Sequence, residues 1–209
     1  MLALRRVIAI LRFSVVLILL LTFAGCGSGD APEGQPATPE GEPSQPMGVC
    51  RAVTQSFEVT SAFHTADCSV LAESSVPPAG GDHYGSWAAF QSYDFPVPHG
   101  YLIHCMEHGA VVFYYNCPDG CAAEVAEVEA WFDTLPEDPL CTGTGTLRRV
   151  VLTPDPNLEV RWAISAWGHT LRADCFDAKA FGSFYDAHYG KGPEQLCNSG
   201  IAFSSPPCQ

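Results

Sequence analysis

Lysine is nearly absent: Lys179 and Lys191 are the two in 209 residues, and the ten basic residues face 23 acidic ones, net −13. Nucleic acid needs clustered Lys and Arg to displace counterions from its phosphates, so no nucleic-acid partner is expected. Charged residues make up 16% of the chain, low against a typical ~25%, which argues against wholesale disorder. No internal repeat is visible. The longest uncharged apolar stretch, Ser14 to Ala24, is short of the ~20 residues a membrane-spanning helix needs. The length allows one domain with appendages at roughly 100–200 residues per domain.

What is present at the N-terminus reads as an address. Arg5, Arg6 and Arg12 flank and precede the apolar stretch, and Phe23-Ala24-Gly25-Cys26 follows before the composition turns polar. That is the layout of a bacterial secretory signal over residues 1–25. Small residues before a cysteine resemble a lipobox, in which the Cys26 thiol receives a diacylglyceryl group, although Phe23 replaces the usual branched aliphatic residue. Simple cleavage and an uncleaved anchor are the alternatives. Residues 26–48 are rich in Gly and Pro and carry no aromatic residue, so they cannot bury enough apolar surface to order themselves and read as a tether. Loss of residues 1–25 leaves 7 bases against 23 acids, net −16. Anionic lipid would repel such a domain, so its membrane contact is expected through the N-terminal lipid alone. The expected location is the cell envelope, outside the cytoplasm. Gly27 after Cys26 favours the outer membrane, because it is not the acidic residue that retains some lipoproteins at the inner one.

Ten cysteines suit an oxidising compartment. With Cys26 set aside, nine remain, an odd number that leaves one thiol over if the rest pair. Eight cysteines allow 105 connectivities, and the sequence does not choose among them. Cys105 is the candidate for the unpaired thiol; a terminal cysteine such as Cys208 is the alternative.

From residue 49 to 209 the chain reads as a single domain. A strand is expected within Arg51–Ser61, a Pro/Gly-rich loop over Ser74–Trp87, and a buried strand in the second half of Tyr101–Tyr115. A helix is expected after Gly120, where Ala122, Val125, Val128 and Trp131 recur at helical spacing. Leu147–Thr153 and Glu159–Leu171 each read as a strand, and Asp177–Tyr189 as an amphipathic helix stopping at Gly190. This order predicts an α+β fold: a small antiparallel or mixed sheet with two helices packed on one face, stabilised by disulfides.

The chemistry is concentrated in His104-Cys105-Met106-Glu107-His108. The pattern H-x-x-E-H is shared with an inverted zinc-protease motif, in which two histidines bind zinc and the glutamate is general base. On a helix, residues four apart share a face and both rings reach one ion; on a strand they stand ~13 Å apart at ~3.3 Å per residue. Gly109 and the β-rich run after it predict at most one helical turn before the strand, which argues against a peptidase. Imidazoles beside a thioether and a thiol suit copper or zinc better than calcium or magnesium. The candidate metal ligands are therefore His104, His108 and His83, with His64, Met106 and Cys105 as further members and Glu107 as an orienting neighbour. His99, His169 and His188 are read as bystanders. Three readings stay open: a copper- or zinc-binding lipoprotein, a metal-dependent hydrolase with Glu107 as base, and a hydrogen-bonded structural or interaction module.

Three blocks resemble a known family, the domain of unknown function 3105 of bacterial secreted and membrane-anchored proteins. The first is Pro77-Pro78-Ala79-Gly80-Gly81-Asp82-His83-Tyr84 with Trp87. The second is Tyr93-Asp94, Pro96-Val97-Pro98 and His104 to Gly109. The third is Ala166-Trp167-Gly168 with Gly192-Pro193-Glu194. His64 corresponds to a histidine ahead of the Pro-Pro loop. Cys105 departs from the family's Asn or Ser, and Asp82 from its Pro. The extra cysteines resemble no family trait. The resemblance implies no particular activity.

Overall fold

The computed structural model describes residues 50–208. The expected signal segment, Cys26 and the tether over 26–48 lie outside the described residues. The elements in chain order are β1 (Ala52–Ser56), β2 (His64–Thr65), β3 (His83–Tyr84), α1 (His99–Glu107), β4 (Val111–Tyr115), α2 (Ala122–Phe132), a 3₁₀ turn (Pro139–Cys141), β5 (Val150–Pro154), β6 (Trp162–Ala166), β7 (His169–Ala173) and α3 (Ala178–His188). Five strands form one mixed sheet in the order β1-β7-β6-β4-β5. Its neighbours are antiparallel except β4 and β5, which run parallel with Val111 opposite Val150. A parallel pair needs a long crossover, and the segment carrying α2 supplies it. The chain is thus α+β with a mixed sheet.

Two expectations about elements need correction. The single strand expected over 159–171 is a hairpin: Trp167-Gly168 turns the chain at a Gly168 φ of 76°, and Ala166 pairs with His169. The second concerns helices. Two were expected, and the described residues hold three. The extra one, α1, is nine residues long, about two and a half turns, where at most one turn was expected.

Alternation along the strands separates two apolar clusters. Val111, Phe113, Leu152, Trp162, Ile164 and Leu171 pack with Val128 and Phe132 of α2 and with Phe181, Phe184 and Tyr185 of α3. Val112, Tyr114, Val151 and Ala163 pack instead with Leu102, Ile103 and Met106 of α1 and with Tyr84, Tyr93 and Val97. Helix α3 starts conventionally: the Asp177 carboxylate accepts from the amides of Lys179 and Ala180, the usual N-cap arrangement.

Four disulfides join Cys50 to Cys175, Cys68 to Cys208, Cys117 to Cys121 and Cys141 to Cys197. Among the described residues, Cys105 is the free, buried thiol, and Cys208 is paired. No helix among the described residues is long and apolar enough to cross a membrane.

Candidate metal centre

The histidines are gathered by a two-residue parallel ladder and a helix. β2 and β3 put His64 directly opposite His83, closed by amide bonds from His83 to the Phe63 carbonyl and from Gly85 to the Thr65 carbonyl, both 3.1 Å. α1 then packs on β3 through Tyr84, whose ring lies where a Cβ on Gly100 would come within 2.5 Å of it. One turn further along α1, the His104 Nδ1–H donates to the Tyr84 carbonyl at 2.7 Å. Tyr84 therefore fixes both the approach of the helix and the orientation of its first inward imidazole.

His83 is fixed in the same way, by Nδ1–H to the Gly81 carbonyl at 2.8 Å. With that proton on Nδ1, a neutral imidazole presents its lone pair at Nε2. A ring nitrogen tied to a carbonyl while the other faces an ion is how metal-binding histidines are oriented. The Nε2 of His83 stands 2.9 Å from Glu107 Oε2, and the Nε2 of His64 stands 3.3 Å from the same oxygen. The three ring centroids of His64, His83 and His104 are 4.7, 4.8 and 4.9 Å apart. One ligand atom from each of His64, His83, His104 and Glu107 lies within 4.8 Å of all the others. A lone pair facing a carboxylate oxygen at such range repels it. The contact becomes attractive when a proton or a cation lies between them.

His83 and Glu107 are buried, whereas the His64 side chain is 52% exposed, so the group meets solvent at His64. Burial depresses the His104 pKa to about 4 against the Tyr84 hydrogen bond, with neighbouring imidazoles adding to the effect. Burial also depresses His108 to about 4, opposed by the Glu107 carboxylate. Both rings are neutral near pH 7 and keep a free lone pair.

The H-x-x-E-H residues do not all fall in one group. His104 and Glu107 join His64 and His83, while His108 falls with Glu107 and Glu194 in a neighbouring set of three. Cys105, offered above as a soft ligand, belongs to neither, and Met106, offered with it, packs in the apolar cluster. At ~100° per residue the helix turns positions 105 and 106 away from His104. The Cys105 Sγ donates to the Ala88 carbonyl at 3.4 Å, and burial pushes its thiol up to about 12. Met106 is fully buried in the apolar cluster beneath α1.

Glu194 was not singled out by its chemistry, although Gly192-Pro193-Glu194 stood in the third family block. His99 lies outside both groups, and its ring bridges Glu73 Oε2 at 2.7 Å and Asp155 Oδ2 at 2.9 Å, beside a cavity of about 290 Å³. His169 and His188 stack on each other with centroids 3.9 Å apart.

Fold and site together define an α+β domain with a cluster of imidazoles and carboxylates that could hold a metal ion. Residues 64–200, about two thirds of the chain, match the family described as "Protein of unknown function (DUF3105)", and the chain belongs to that family. The matched range contains every member of both groups. Neither a curated protein nor a solved structure matches the chain.

Proposed function

We propose that the domain binds one copper or zinc ion through His64, His83, His104 and Glu107 and takes part in metal binding or delivery, without turnover. The observation that carries this reading is the convergence of four ligand atoms within 4.8 Å while the Nδ1–H groups of His83 and His104 are spent on backbone carbonyls. Three imidazoles and a carboxylate suit Zn(II) or Cu(II). With Cys105 and Met106 turned away, the soft ligands that select Cu(I) are missing from the set. The exposed His64 favours exchange with solvent or a partner, in contrast to the closed four-ligand sites of structural zinc.

The test is metal retention by protein refolded with its disulfides and titrated with Cu(II) and Zn(II). At least one equivalent should be held, and the His83→Ala/His104→Ala variant should hold about one equivalent fewer; equal retention by both proteins would sink the reading.

A hydrogen-bonded module is the second reading, favoured by the two imidazole contacts to one Glu107 oxygen, which an imidazolium–carboxylate pair also satisfies. It expects the same thermal midpoint with chelator and with metal. A hydrolase would need Glu107 free to act as base, yet its Oε2 already faces His64 and His83. Retained metal with lost turnover in Glu107→Gln would revive that reading.

The location we propose is the cell envelope, with the domain held to a membrane, the outer one by preference, through lipid on Cys26. Four bridged cysteine pairs support an oxidising compartment. A Cys26→Ser chain recovered in the soluble fraction, beside a parent in the membrane fraction, is the expected result; equal fractionation would overturn the anchor.

A further inference from the structure

Glu107 also belongs to the second set, in which one ligand atom each from Glu107, His108 and Glu194 lies within 4.8 Å of the others. We propose that a second divalent ion binds between these three residues, with the Glu107 carboxylate bridging it to the first ion; the inference rests on the reading of the first site given above. A shared carboxylate between ions about 3.5–4 Å apart is a familiar two-metal arrangement.

The unsatisfied chemistry of His108 carries the inference. The residue is 1% exposed, its Nδ1 has no hydrogen-bond partner among the described residues, and its Nε2 lies 3.3 Å from Glu194 Oε2. A proton on Nε2 leaves a buried lone pair at Nδ1, and a proton on Nδ1 turns the Nε2 lone pair on a carboxylate oxygen. Buried polar groups are rarely left so. A cation at Nε2 removes the lone-pair repulsion there and offsets the two carboxylates, while the Nδ1–H stays without an acceptor among the described residues.

Glu194 is held in reach by close packing. A Cβ on Gly192 would come within 2.3 Å of the Glu107 carbonyl oxygen and 2.4 Å of that of Met106, so the 192–194 segment lies directly on the end of α1. The Glu194 amide then donates to the Glu107 carbonyl at 2.9 Å. Arg149 donates to the His108 carbonyl and, at 3.3 Å, to Gln195 Oε1, while Cys197 is bridged to Cys141. The Trp87 ring, 4.7 Å from that of His108, walls the group. One imidazole with two carboxylates is a harder donor set than the first and suits zinc or manganese.

Zinc titration of the disulfide-intact chain, read by native mass spectrometry and calorimetry, tests this. The parent should hold two zinc ions, and Glu194→Gln and His108→Ala should each hold one. The Glu194 side chain is 48% exposed, so its variant keeps the fold; an unchanged far-ultraviolet spectrum checks it. One zinc in the parent and in both variants overturns the second ion and leaves the first standing. Two that persist in both variants overturn this placement. None in the parent overturns the first site and this one with it.

Discussion

Helix α1 carries a histidine at each end, and the two ends hold the same side chain in opposite charge states. At the N-terminal end, burial opposes the charge on His99, but the hydrogen bonds its ring donates to Asp155 and Glu73 outweigh it and raise the pKa to about 9. At the C-terminal end, burial wins and depresses His104 and His108 to about 4. The difference lies in the partners. His99 meets two carboxylates, one at each ring nitrogen, whereas His104 meets the neutral Tyr84 carbonyl and three other imidazoles, those of His64, His83 and His108. A cation at a helix N-terminus also opposes the macrodipole, so the carboxylates overcome that cost too. One end is built as an ion pair and the other as a set of lone pairs.

The most disruptive way to break the comparison is at Arg149, which fastens the C-terminal end. Its guanidinium pairs with Asp138 at 2.8 Å, with side chains 4% and 7% exposed, and donates to the His108 carbonyl. Removing one member of a buried pair costs about 3–5 kcal/mol. Arg149→Ala should lose that much in urea unfolding and should weaken zinc binding as the end of α1 loosens. A loss below ~1 kcal/mol would mean that solvent replaces the guanidinium.

Ligand linkage separates the two ends next. Zinc at a hundred times its dissociation constant should stabilise the folded chain by about 2.7 kcal/mol, or roughly 5–10 °C for a domain of this size. The shift should survive His99→Gln and shrink in His83→Ala/His104→Ala. A shift that vanishes in His99→Gln would place the metal at the wrong end of the helix.

The N-terminal end has its own signature in pH. Because the folded value of His99 lies above the ordinary ~6.5, its stabilisation is complete below pH ~6.5 and is lost as pH rises through about 9. Burial acts to raise the Asp155 carboxyl, but its hydrogen bonds from His99 and Asn157 hold it below the usual range; its share disappears as pH falls through that lowered value. Replacing His99 by Gln should cost on the order of 2 kcal/mol near pH 6 and almost nothing at pH 10. A pH-independent cost would show that the ring acts through packing alone.

These contrasts also explain what the sequence makes legible. Val111–Tyr115 is β-branched and aromatic, and α3 has a cap and an apolar stripe, so local pattern and tertiary role agree there. α1 is buried from Gly100 to Glu107 and therefore lacks the polar stripe that marks an amphipathic helix. Its polar residues face other polar side chains inside the protein, which no periodicity records. The proximity of His83 to Glu107 was suggested by residue type but depends on the ladder between β2 and β3, two residues each. Glu194 was least visible of all. Its position comes from the contact of Gly192 with the end of α1, between segments more than eighty residues apart in the chain.

The smallest predicted effect sharpens the comparison from outside it. Asp177 caps α3, whose Phe181, Phe184 and Tyr185 pack in the cluster on the other side of the sheet from α1. Asp177→Ala should cost about 1 kcal/mol, because the amides of Lys179 and Ala180 lose their acceptor. That cost should be the same with and without zinc and the same at pH 6 and pH 9, since neither the metal ligands nor the His99 clamp touch the cap. If the zinc-induced shift in midpoint changed along with it, the two sides of the sheet would be coupled, and the contrast between the ends of α1 could not be assigned to local partners alone.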